Sequence, residues 1–305
     1  MSGPVLITGA SGFLGAWIMR CLSREGVGVI ACDLRPDETR LRMVMEDDAP
    51  ASVTWVPLDV SDTDSVVALA RAHEPAAIIH LAALLIPVCR DDPPTAVRVN
   101  LLGDANVFEA ARQIGGAPVV YTSSAAARPR GPMNRVANLY GALKAAGEDM
   151  ARFYYDDHGV ASLGLRPTIV YGVGRDTGDT AIVTAAMKAA ATGTSYRLAW
   201  RSRTVFELAS DVADLYARAA LSPLRGAHVS DIGTELRSTD DILAAIRAAV
   251  PEADVDHAED APERVAPVTG FDNAALGEAV GAIALTPLRD GVSRTIDHFR
   301  RLGSG

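Results

Sequence analysis

Lysine is almost missing from this chain: of 29 basic residues only Lys144 and Lys188 are lysine, and the other 27 are arginine. Positive charge is also in deficit, with 38 acidic residues and a formal net charge of −9. Without a basic footprint for a polyanion, neither nucleic acid nor an acidic membrane is expected as a partner. Cysteine is limited to Cys21, Cys32 and Cys89 with no CxxC pair, which argues against a disulfide framework and for a reducing compartment. Long apolar runs are absent too. The Val5-Leu6-Ile7 run meets Gly9 too soon for a signal-peptide core, and no later stretch approaches the ~20 apolar residues that cross a membrane. A soluble, cytoplasmic protein is expected. No His, Asp or Cys cluster has metal-ligand spacing, so no metal is expected.

What is present has a globular balance, 49% hydrophobic and 22% charged over 305 residues, enough for one large α/β domain or a domain with a smaller lobe. Short apolar runs at Val5–Ile7, Val27–Cys32, Val53–Val56, Ala76–His80, Val119–Thr122 and Ala161–Arg166 read as strands buried on both faces. Helical periodicity falls between them at Phe13–Arg24, Asp62–Ala72, Pro94–Ile114 and Asn138–His158. This alternation predicts a doubly wound parallel sheet. After Arg166 the rhythm changes to irregular sequence and helices near Thr180–Thr192, Ser210–Ala220, Ser238–Val250 and Pro287–Leu302. Residues 1–166 are therefore expected to form the doubly wound domain. Residues 167–305 are expected to form a smaller substrate-binding lobe interleaved with the sheet, and the acidic stretch Glu252–Glu263 a solvated loop.

The first strand runs into Thr8-Gly9-Ala10-Ser11-Gly12-Phe13-Leu14-Gly15. Glycine at these spacings allows a tight turn, close approach of backbone N–H groups to a pyrophosphate, and packing of a helix whose N-terminus faces the anion. The alternative is a glycine-rich turn with no ligand; the position at the first strand-helix junction favours the dinucleotide. Asp33 ends the second strand 18 residues after Gly15, where a carboxylate accepts from a ribose diol and repels a 2′-phosphate, so NAD is favoured over NADP. Arg35 stands close enough to soften that preference.

Tyr140-Gly141-Ala142-Leu143-Lys144 sets a phenol and an ammonium four residues apart on one helix face. A phenol with its ordinary pKa of ~10 is a poor base at neutral pH, and a nearby cation stabilises the phenolate. That a lysine persists here, in a chain that otherwise uses arginine, suits a compact ammonium serving both a phenol and a cofactor ribose. Ser123 and Ser124 follow the fifth strand on the side of a parallel sheet where ligands bind. Their hydroxyls either hold a reacting oxygen against the tyrosine or merely cap a loop.

Together these residues resemble the extended short-chain dehydrogenase/reductase superfamily, in particular the NAD-dependent epimerase/dehydratase family. The TGASGFLG loop, Asp33, Asp59-Val60, His80-Leu81-Ala82-Ala83, Asn100, Ser123-Ser124, YGALK and Leu165-Arg166-Pro167 to Tyr171-Gly172 carry the resemblance over most of the chain. It implies a Rossmann fold, with Gly9, Ser11, Gly12, Phe13, Leu14 and Gly15 at the pyrophosphate of NAD. Asp59 and Val60 would meet adenine, Leu81, Ala82, Ala83 and Asn100 would line the cofactor channel, and Pro167 and Val170 would lie by the nicotinamide. Tyr140 would be the acid/base, Lys144 the ribose ligand and Ser124 the group that orients the reacting oxygen. The segments Pro94–Ile114 and Asn138–His158 resemble the helices through which the family forms homodimers by a four-helix interface.

Where family members that dehydrate sugars carry an Asp-Glu pair after the catalytic hydroxyl, this chain has Ala125 and Ala126, so hydride chemistry remains. Only 16 positions separate Ser124 from Tyr140, and Thr204, with Arg203 before it, stands where the family places an arginine for a nucleotide diphosphate. A small polar hydroxy compound, such as a sugar, sugar acid or polyol, is therefore expected as substrate. Ser123 and Ser124 would bind its oxygen, and Arg175 or Arg203 an anionic group. The alternatives are an epimerase of sugars or nucleotide sugars that retains its cofactor, and a non-catalytic NAD sensor, against which the intact Tyr140 and Lys144 argue.

Overall fold

The computed structural model describes residues 3–45, 53–130, 134–264 and 270–303. Six strands, β1 (Val5–Thr8), β2 (Val29–Asp33), β3 (Val53–Pro57), β4 (Ala77–His80), β5 (Val119–Thr122) and β6 (Ser162–Arg166), are joined by the strand Ala227–Asp231 in one parallel sheet. The spatial order is Ala227–Asp231, β6, β5, β4, β1, β2, β3. This is the doubly wound, Rossmann-like order, with its switch point between β1 and β4. Val5 to Ile7 pair with both Val29–Ala31 and Ala77–Ile79, and β1 and β4 are buried at every position, which is why they carry no polar alternation.

The helices that position the site follow the sequence closely. Helix α1 is Phe13–Arg24, α2 Thr39–Met45, and α3 Thr63–His73 with Asp62 as its N-cap. Then come α4 (Ile86–Asp91), α5 (Pro93–Val97), α6 (Gly103–Gln113) and α7 (Leu139–His158). Asn138 caps α7 through the Gly141 N–H at 2.9 Å, and Gly159 ends it in the left-handed region. The expected single helix over 94–114 is interrupted: Arg98–Leu102 form a π turn between α5 and α6. The cause is the buried Asn100, whose side chain is held by the loop after β4, while Gly103 lets the chain pass within 3.0 Å of Val60 Cγ2 at the Cβ position.

The chain folds into two compact units. One holds 1–167, 212–232 and 272–283; the other holds 168–211, 233–271 and 284–305. The first unit buries Leu6, Ile30, Ile78, Phe108, Val119 and Tyr121 between sheet and helices. In the second, the helices Ile182–Thr192, Thr239–Ala249 and Leu288–Gly303 enclose Tyr171, Met187, Trp200, Ile242, Val292 and Ile296. The acidic stretch expected as a solvated loop is ordered in part. Val255–His257 pair in parallel with Tyr196–Leu198; Val255 is buried in this second core, and His257 is buried with its Nε2 2.9 Å from Thr239 Oγ1. No helix among the described residues is long and apolar enough to cross a membrane. Burial pushes the thiols up, Cys21 to about 11 and Cys32 to about 12, so both stay protonated and unreactive at neutral pH.

Gly164 on β6 faces the Tyr121 ring so closely that a Cβ would lie 2.9 Å from Cε2 and nearer still to Cζ and the hydroxyl. Gly164→Ala is expected to lower stability by about 1–3 kcal/mol, as overpacked cores do, read from the midpoint of a urea titration. An unchanged midpoint contradicts this packing.

Candidate active site

The cofactor side of the site begins at Gly9, which has φ +71° and whose missing Cβ would lie 2.7 Å from the Ala82 nitrogen. Only glycine permits both the turn and this approach. Gly15 lies in similar contact with the Ala10 carbonyl, which lets α1 pack on the end of β1. Helix α1 starts at Phe13 with Gly12 as N-cap and no side-chain cap, leaving the positive end of its dipole for an anion. Ser11 ties this loop to the chain after β2. Its N–H donates to Asp33 Oδ2 at 3.1 Å, and its Oγ accepts from the Asp37 N–H at 2.9 Å. The other Asp33 oxygen makes no hydrogen bond among the described residues.

Further along, Asp59 is turned onto Ser61, accepting its N–H at 2.9 Å and its hydroxyl at 2.7 Å, and the Val60 carbonyl accepts from Asn106 Nδ2 at 2.8 Å. Leu81 donates its N–H to the Thr8 carbonyl at 3.0 Å, which draws residues 81–83 toward the glycine loop. Asn100, expected in the cofactor channel, is wholly buried and commits its amide to Leu84, accepting from N–H at 2.7 Å and donating to C=O at 2.9 Å. What it gives a cofactor is therefore the course of residues 81–84. His80 is buried between Thr8 Oγ1 at 2.6 Å and Asp104 Oδ1 at 2.9 Å, a structural bracket under the same loop.

The chemical side is built on α7. Tyr140 lies one residue into the helix and packs with Cys89, Ala96 and Leu143. Lys144 follows one turn later, with its ammonium 6.0 Å from the centre of the Tyr140 ring. The lysine is only 3% exposed, yet no carboxylate or hydrogen-bond partner meets its ammonium among the described residues. The turn Ala125–Ala127 packs on the start of α7, with the Ala126 carbonyl against Gly141 where any Cβ would collide. Ser124 caps that turn, its Oγ accepting from the Ala126 N–H at 3.1 Å.

Ser123 departs from expectation. It is fully buried and donates its hydroxyl to Glu148, whereas Ser124 is only partly buried. Pro167 accepts from the Ala125 N–H at 3.2 Å, beside the catalytic turn. Val170, Arg175 and Arg203 belong to the second unit. There Val170 is a core strand residue, Arg175 donates to Thr180 Oγ1 at 2.8 Å, and Arg203 is exposed on a two-residue strand paired with Arg237-Ser238.

A family model described as the NAD dependent epimerase/dehydratase family matches residues 5–233. The chain belongs to that family. Its members depend on NAD, and the residues fit that cofactor: a glycine cradle, an uncapped helix start, a free carboxylate oxygen on Asp33 and an unpartnered Lys144. The protein is accordingly an NAD-dependent epimerase or dehydrogenase of the extended short-chain type. Among its relatives is a UDP-glucose 4-epimerase of Mycolicibacterium smegmatis, 29% identical over 316 residues that cover 97% of this chain and 98% of that one. The fold is shared with the NAD complex of the Thermus thermophilus UDP-glucose 4-epimerase (TM-score 0.77, 24% identity, covering 97% and 99%). It is shared equally with L-threonine dehydrogenase of Clostridium difficile (TM-score 0.81, 21% identity, covering 99% of each chain).

Replacing Asp33 with alanine removes the carboxylate expected to meet the ribose diol. Asp33→Ala is expected to weaken NAD binding on the order of tenfold, the scale of a lost charge-assisted hydrogen bond, as measured by titration calorimetry; an unchanged Kd contradicts the assignment.

Proposed function

We propose that the protein interconverts a secondary alcohol and a ketone on a small polar hydroxy compound, with Ser124, Tyr140 and Lys144 as the chemical groups. The observation that carries this reading is Lys144, a largely buried side chain whose ammonium meets no protein partner among the described residues and lies one helical turn from Tyr140. NAD held by the glycine loop and Asp33 would supply the hydride acceptor. Tyr140 as phenolate takes the hydroxyl proton, Lys144 favours that anionic form and binds the ribose, and Ser124 donates to the substrate oxygen as it becomes a carbonyl. The alanines of the Ala125–Ala127 turn offer no carboxylate for eliminating water, which supports hydride chemistry over dehydration.

A small substrate is supported by the short segment between Ser124 and Tyr140 and by the shared fold of L-threonine dehydrogenase, whose named substrate is itself a small secondary alcohol. Arg130, on that segment, has its Nε buried with no partner among the described residues, and burial lowers its pKa. A carboxylate or phosphate on the substrate would complete it. The second reading is a nucleotide-sugar epimerase, favoured by the nearly full-length likeness to UDP-glucose 4-epimerase. In that case a ketone formed in place is reduced again on its other face.

Following reduced cofactor while offering L-threonine, free sugars, sugar acids and polyols tests the first reading. UDP-glucose turning into its 4-epimer with no net cofactor reduction supports the second instead. In either case Tyr140→Phe is expected to lose at least ~100-fold in turnover, the usual contribution of a positioned acid/base; full activity in that variant rejects the mechanism.

Assembly as a homodimer belongs to the same proposal. Val97 and Leu102 on the segment 93–113 and Phe153 on α7 are 41%, 40% and 52% exposed, an apolar set that a second copy would cover. Light scattering is expected to give about twice 32.0 kDa, and a monomer mass contradicts it.

A further inference from the structure

Glu148 lies four residues beyond Lys144 and eight beyond Tyr140 on α7, so the three share one face of the helix over about two turns. Its side chain is 13% exposed. Ser123 Oγ donates to Oε1, Arg166 Nε donates to the same oxygen at 2.7 Å, and Arg166 Nη2 donates to Oε2. Ser123 follows the end of β5, and Arg166 ends β6. One carboxylate on the catalytic helix thus holds the ends of two strands.

Ser123 is also the residue next to Ser124, and its N–H is fixed to the Leu165 carbonyl at 2.8 Å. On the far side of the turn, Arg128 Nη1 donates to Asp231 Oδ2 at 2.7 Å, and that buried carboxylate also accepts the Asp272 N–H at 2.7 Å. Between the two anchors the Ala126 carbonyl rests on Gly141. The turn that carries Ser124 is therefore pinned at 123, 126 and 128 against the helix and strands that carry the rest of the site.

A covered ion pair is weak evidence for stability, because desolvation offsets its attraction and apolar side chains of equal volume hold elements together at least as well. What a forked guanidinium and a hydroxyl on one carboxylate add is direction. We propose that Glu148 is a positioning residue which, through Ser123, sets the spacing between the Ser124 hydroxyl and the Tyr140 phenol. The proposal rests on the acid/base roles given to those two groups above.

Ser123→Ala removes the hydroxyl tether and leaves the Glu148–Arg166 pair intact. In crystals of the NAD-loaded variant, the Ser124 Oγ to Tyr140 Oη separation is expected to change by about 1 Å relative to wild type, a displacement that costs up to ~100-fold in rate. With the substrate found above, kcat is expected to fall on the order of 10- to 100-fold while NAD affinity holds. In a Ser124→Ala background the same substitution is expected to cost nothing further, since it acts through the missing hydroxyl. A separation equal to wild type, or the same fold loss in both backgrounds, overturns the proposal. Glu148→Asp, which keeps the charge and shortens the reach, gives the same readings should Ser123→Ala fail to fold. Tyr140→Phe run alongside separates the two claims: full activity there rejects the chemistry, whereas the crystallographic separation judges the positioning without any turnover.

Discussion

At three points the site depends on main chain meeting main chain with no room for a Cβ. Gly9 approaches Ala82, Gly15 approaches Ala10, and Gly141 approaches the Ala126 carbonyl. The first contact brings the end of β1 to the loop after β4, the second seats α1 on the sheet, and the third lays the Ser124 turn on the catalytic helix. Side chains wander through rotamers, but packed backbone does not, so these contacts fix the frame on which a few side chains then act. Both halves of the site, the anion cradle and the acid/base group, inherit their geometry from that frame.

Polar groups beneath the frame are mostly spent on one another. Thr8, His80 and Asp104 form one buried chain, Asn100 and the Leu84 backbone a second, and Ser123, Glu148 and Arg166 a third. Each links elements far apart in sequence and holds the cleft side of the sheet in place. Lys144 is the contrast, because it is as deeply covered as these groups and has no internal partner among the described residues.

The parts legible in the sequence are those with local causes. The glycine loop between β1 and α1, the Asn138 cap of α7 and the Asp62 cap of α3 all follow from residue types within a few positions. Tyr140 and Lys144 share a face because a helix has 3.6 residues per turn. The parts that escaped have distant causes. The seventh strand, Ala-His-Val-Ser-Asp at 227–231, alternates weakly and is recognisable only by its pairing with β6. The π turn at Arg98–Leu102 follows from Asn100 reaching a residue 16 positions earlier. Likewise, Ser123 reads as a second substrate hydroxyl until Glu148, 25 residues on, is seen to hold it. The spacing of Lys144 to Glu148 was a visible signal, but nothing local shows which strands that carboxylate meets.

The central claim is that this frame holds NAD with Lys144 and Tyr140 at its reactive end, and a crystal structure of the wild-type protein with NAD tests it most directly. The pyrophosphate is expected over the start of α1, the adenine ribose diol on Asp33, and the nicotinamide ribose on the Lys144 ammonium beside the Tyr140 hydroxyl. A cofactor bound elsewhere, or bound with Lys144 still lacking an oxygen partner, would contradict it.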